Sequence, residues 1–294
     1  MFKFLLILFI VATTHVFSQK LQVHPFPMEE NAILWEITGQ NVKEPCYLFG
    51  TMHLIEKDYF LFPKKLKKIV QNSDVLMMEL AGIPDPLEAM SYVMLKEGSF
   101  FGFFTQEQTD TILQWANDKF DMDEPTFRAA FSKMKPFAVM QLATQIYFSG
   151  KTESYELTFN QLAQENEIEV KGLETIAEQM ALFDSLSNEQ QVEMLMETIR
   201  DGDKAIETIK EMQEIYNQQN VDTLYLLISS DDGVIGAEQE KFLDDRNQNW
   251  VPKIIEQMAK SSTFIAVGAG HLGGPNGVIR LLEKEGYILK PIKL

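Results

Sequence analysis

The stretch FIAVGAGHLGGPNG, Phe264 to Gly277, joins an apolar run to a glycine-rich loop. Phe264 to Val267 reads as a buried strand, because a short apolar run ending in glycine suits the interior of a sheet. Gly268, Gly270 and Gly273 spell the G-x-G-x-x-G pattern of dinucleotide loops, with His271 in the middle. Such a site needs a following strand with an acidic residue about 20 positions on, to hold the ribose. Here the chain closes YILKPIKL, with no carboxylate in that place. The loop is therefore read as one that presents a histidine.

The chain has four histidines. His15 lies in the N-terminal apolar segment, and His24 lies in VHPFP, outside any motif, which makes it a control position. The other two share a setting. His53 in FGTMHL and His271 in VGAGHL each follow a strand-like run and stand three residues beyond a glycine. Glycine lets a chain turn sharply at a strand end. A histidine just after that turn projects from the C-terminal edge of the sheet, where open α/β sheets bind ligands. A neutral imidazole there can hold a metal or move a proton. The two histidines are expected at one site.

Outward from these motifs, AILWEIT (32–38) and CYLFG (46–50) read as a hairpin, and DVLMMEL (74–80) as a buried strand ending near Glu79. IEVKGLE (168–174) reads as another strand, ending at Glu174. Between and after these the spacing is helical. The segment 237–261 reads as one long helix kinked at Pro252, and 275–286 as a helix with Pro275 in its first turn and Gly286 as its stop. The fold class is α/β: a mixed sheet formed from N- and C-terminal halves, with a large helical insertion, roughly 87–165 and 176–260.

MFKFLLILFIVATTHVFSQK carries one early lysine, an apolar run too short to span a bilayer, and Val16-Phe17-Ser18 before Gln19. This fits a cleaved signal over residues 1–18, with a buried helix or membrane anchor as the other readings. The expected product is exported, to the periplasm or the medium, without stable membrane insertion, and 19–294 forms one domain. A net charge of −17 argues against nucleic acid, which needs clustered cations. The lone Cys46 excludes a disulfide framework and reads as a core thiol rather than a nucleophile.

At the two histidine motifs the sequence resembles the TraB/GumN family, which includes the Tiki proteins. LWEITGQNVKEPCYLFGTMHL resembles its opening, DVLMMEL its strand ending in Glu79, VKGLET its middle motif with Glu174, DDRNQNW its Arg-Asn motif with Arg246 and Asn247, and FIAVGAGHLGGPNGVIRLLEKEGY its closing motif. Asp245 stands where a glutamate is expected. The resemblance implies a metal-dependent peptidase acting on a peptide or protein substrate. A divalent ion (Zn, Mn or Co) would be held by His53, His271 and Glu79, a mixed N/O set. Glu79, Glu174, Arg246 and Asn247 are the catalytic candidates, with Asn247 as oxyanion donor and Glu174 weighted below Glu79. A peptide-sequestering protein and a haem-binding protein of the same fold are the alternatives, and oligomeric state stays open.

Overall fold

The computed structural model describes residues 23–148, 150–230 and 236–294; the expected leader, 1–18, lies outside the described residues. In chain order the strands are β1 Leu34–Thr38, β2 Cys46–Thr51, β3 Ile55–Glu56, β4 Val75–Met78, β5 Thr152–Glu153, β6 Glu169–Gly172, β7 Thr263–Gly268 and β8 Ile288–Ile292. Six form one sheet in the order β6-β4-β7-β2-β1-β8, while β3 and β5 pair separately. The strands β6, β4, β7 and β2 are parallel neighbours, and β1 runs antiparallel to both β2 and β8.

The protein is thus mixed α/β, and the C-terminal half supplies the strand that lies between two strands of the N-terminal half. β4 is buried at every position and β7 at all but Gly268. Central parallel strands are covered on both faces, which is why both sequences are unbroken apolar runs rather than alternating ones. Phe49 packs on Tyr155 and Phe159 of the helix Tyr155–Glu165 and Phe264 on Phe159, with ring centroids 5.1–5.5 Å apart. A second apolar cluster, including Phe100, Ile112, Trp115, Phe127 and Leu195, holds the inserted helices together. Cys46 is fully buried, and desolvation raises its thiol pKa, as suits a core residue.

Two helices differ from the expectation. The segment 237–261 is not one helix: a π-helical turn, Glu240–Asp244, precedes the α-helix Asp245–Met258, which keeps Pro252 inside. Such turns often accompany functional sites. Here the Phe242 carbonyl of that turn accepts from Arg246 Nη1 at 3.1 Å. The C-terminal helix is shorter than 275–286 and runs Val278–Lys284, so Pro275 sits in the preceding loop. A buried ion pair holds that loop back: Asp222 accepts from Gly274 N–H at 2.9 Å, and Arg280 donates to Gly274 O at 2.8 Å. Gly286, at φ +91°, ends the helix as its residue type suggests.

Candidate functional site

The register brings the motifs to one edge. Thr51 lies opposite Gly268, and Met78 lies opposite both Ala266 and Gly172. The residues just past those four strand ends therefore emerge side by side: His53, Glu79, Glu174 and His271. Gly268 stands at the centre. A Cβ placed on it would lie 3.3 Å from Glu79 Oε1, 3.5 Å from His271 Cδ2 and 3.8 Å from His53 Nε2. The two imidazoles, 218 positions apart in the chain (271 − 53), thus border one small volume.

Arg246 ties the edge together. Its Nη2 donates to Glu79 Oε2 and to Glu174 Oε1, each at 2.6 Å, and its Nε donates to Glu174 Oε2 at 3.2 Å. Gln179 donates to the same two carboxylates, and Trp250 Nε1 donates to Glu174 Oε2 at 3.2 Å. The guanidinium lies 4.6 Å from the Trp250 ring, a cation–π distance. Gly268 N–H donates to Glu79 Oε1 at 2.8 Å. Desolvation opposes ionisation of Glu79, but Arg246 foremost, then the two histidines and this N–H, hold its pKa down at about 2.

The two histidines differ in charge. His271 is 4% exposed, and burial first, then Arg246, depress its pKa to about 3, so the ring is neutral. Asn247 Nδ2 donates to the carbonyls of His271 and Asn276, which turns Asn247 Oδ1 toward His271 Nδ1 at 2.8 Å. Nδ1 therefore carries the proton, and the Nε2 lone pair accepts from Arg246 Nη1 at 3.1 Å. His53 keeps 66% of its side-chain surface open, at the mouth of the site. Desolvation opposes its protonation, but the Glu156 hydrogen bond and the charges of Glu79 and Glu156 raise its pKa to about 9. Its Nδ1 meets Glu156 Oε1 at 2.9 Å.

Three sequence-based roles change. Asn247 is 1% exposed and its amide is spent on two carbonyls, so it orients His271 instead of reaching a reacting oxygen. The Glu174 side chain is 7% exposed against 8% for Glu79, and it carries more contacts with Arg246 and Trp250, so it does not rank below Glu79. His24 is a poor control: its ring packs edge-on against Trp35 and bonds to Glu283. Asp245 is exposed. Glu156 and Gln179 went unread, since neither lies in a motif, and Trp250 closes DDRNQNW without a role having been read for it.

A profile of the TraB/PrgY/gumN family matches residues 33–291, from β1 into β8. The chain belongs to the TraB/PrgY/gumN family. No curated protein and no solved structure matches it. In this TraB/PrgY/gumN chain, no three His, Cys, Asp or Glu side chains among the described residues already converge closely enough to hold a metal ion. The arrangement explains why: Arg246 Nη1 stands on His271 Nε2, where an ion would have to sit. The donor chemistry nevertheless fits one. Both rings bond through Nδ1 to an acceptor, which is how metal-binding histidines are held. His53⁺ and Arg246⁺ face the carboxylates of Glu79, Glu156 and Glu174, leaving one negative charge in excess. With both imidazoles neutral the excess is two negative charges, which a divalent ion would cancel. Among the described residues no helix is long and apolar enough to cross a membrane.

Proposed function

We propose that this protein is an exported, metal-dependent hydrolase of peptide bonds, with His53, His271 and Glu79 as the ligands of a divalent ion. One observation carries the reading. Two imidazoles from opposite ends of the chain have Nδ1 engaged, with His53 Nε2 3.8 Å from the Cβ position over Gly268 and His271 Nε2 3.9 Å from Glu79 Oε1. A bound divalent ion would supply a water of lowered pKa and polarise the scissile carbonyl. Asn247 fixes the His271 tautomer, leaving Nε2 unprotonated. For His271 to serve as a ligand, Arg246 must release Nε2 while keeping Glu174. Glu174, a carboxylate outside the ligand set, would be the group to take up a proton. His53, two-thirds open, marks the side from which an extended peptide enters.

Turnover of a peptide library by the purified protein, with Zn²⁺, Mn²⁺ or Co²⁺ added singly and then removed by chelator, tests the reading. Activity is expected only with metal and not in Glu79→Gln, whose fold should persist. Peptides bound but left intact would instead mark a sequestering protein, and a Soret band lost in His53→Ala would mark a haem protein. Full metal affinity and full turnover in Glu79→Gln would remove Glu79 from the site.

A further inference from the structure

We infer that Glu156, on the helix Tyr155–Glu165, is the positioning residue for His53, so the helical segment supplies part of the site. This rests on the reading of His53 as a metal ligand. Glu156 Oε1 meets His53 Nδ1 at 2.9 Å and accepts from Thr51 Oγ1 at 2.8 Å, while Oε2 accepts from Ser154 Oγ at 3.0 Å. Thr51 and Ser154 are each fixed independently of His53. Thr51 is the last residue of β2 and is 2% exposed. Ser154 is the N-cap of the helix, and Glu156 lies in its first turn, where a carboxylate is favoured by the helix dipole. The carboxylate is therefore held in place before it meets the imidazole.

His53 needs such a partner more than His271 does. His271 is packed against Trp250, with ring centroids 4.5 Å apart, and is locked by Asn247. The His53 ring is 66% exposed and sits on a loop beyond the strand, so packing does not select its rotamer. The bond to Glu156 orders it: with Nδ1 on Glu156, Nε2 lies 3.8 Å from the Cβ position over Gly268. Without that bond the ring is free to rotate, and Nε2 spends most of its time away from the site. The carboxylate also raises the basicity of a ligating imidazole.

The test uses the full mature chain. Wild type, Glu156→Gln and Glu156→Ala are compared by zinc titration calorimetry, by thermal melting, and by the long-range ¹H–¹⁵N signals of the His53 ring at fixed pH. Glu156→Ala should lose the ordered Nδ1–H signal of His53 while keeping that of His271, and should bind zinc about 10–100-fold more weakly. Glu156→Gln, which keeps an acceptor but not the charge, should fall between. An unchanged His53 ring signal together with unchanged zinc affinity in both variants would overturn the proposal. If Glu156→Ala does not fold, the Gln variant decides by the same two readouts. If the wild type takes up no zinc, the metal reading fails separately, and the ring signal alone decides: its loss supports the role of Glu156 and its persistence overturns it.

Discussion

Arg246 lies between two carboxylates that would otherwise be buried without a counter-charge. Replacing it with Met should cost about 3–5 kcal/mol at pH 7, the range for breaking a buried pair by removing one partner. The pH dependence follows from Glu79. Its folded pKa of about 2 is below the ordinary 4.5, so its contribution to stability is complete above 4.5 and is lost as pH falls through 2. In Arg246→Met that advantage is gone, and the deficit should shrink between pH 7 and pH 4 as the orphaned Glu79 takes up a proton. Urea unfolding at pH 7, 5 and 4 reads this; a deficit independent of pH would show that Arg246 does not keep Glu79 ionised. His53 has the opposite sign. Its pKa is raised to about 9, so its pairing stabilises fully below 6.5 and is lost as pH rises through 9. Metal-free protein should therefore lose stability between pH 6.5 and 9, and Glu156→Gln should lose less across the same window. Zinc uptake at pH 7 should release about one proton, from His53, measurable by calorimetry in two buffers of different ionisation enthalpy.

The loop after β7 has little room for side chains. A Cβ on Gly273 would lie 2.3 Å from Val221 O, and one on Gly277 would lie 2.2 Å from Gly273 O, so alanine at either position must displace backbone. The three atoms nearest a Cβ on Gly268 are side-chain atoms, at 3.3–3.8 Å, all of them in the site. The expected contrast is sharp. Gly273→Ala should lower the melting temperature strongly, whereas Gly268→Ala should melt close to wild type yet lose zinc binding, because its methyl fills the space between the two imidazoles. Thermal melts and zinc titration of the two variants check this. Equal zinc affinity in Gly268→Ala and wild type would place the ion elsewhere. The glycine spacing was visible in the sequence. Which glycine guards the fold and which the site depends on what packs against each, and Val221 is contributed by another element, 52 positions earlier than Gly273 (273 − 221).

At the scale of the molecule, β7 lies between β2 and β4, so the sheet cannot close until the C-terminal segment arrives. A chain ending before Thr263 should show helical far-ultraviolet dichroism without a cooperative thermal transition, and a cooperative transition in it would refute the central role of β7. Phe264→Ala, at the centre of the main core, should cost about 3–5 kcal/mol in urea unfolding, the usual range for an aromatic truncated in a core. The sequence by itself determined the strands DVLMMEL and FIAVG, the stop at Gly286 and the two Gly-x-x-His turns. Each of these is written in neighbouring residues, through apolar runs and the backbone freedom of glycine. The family was legible for the same reason, since its motifs are local. Only the tertiary structure decided that Glu156 holds His53, 103 positions away, that His24 bonds to Glu283 across 259 positions, and that Asn247 serves His271. A hydrogen bond needs only two atoms about 3 Å apart. Which atoms come that close is set by strand register and helix packing, and those leave no mark in the residues on either side.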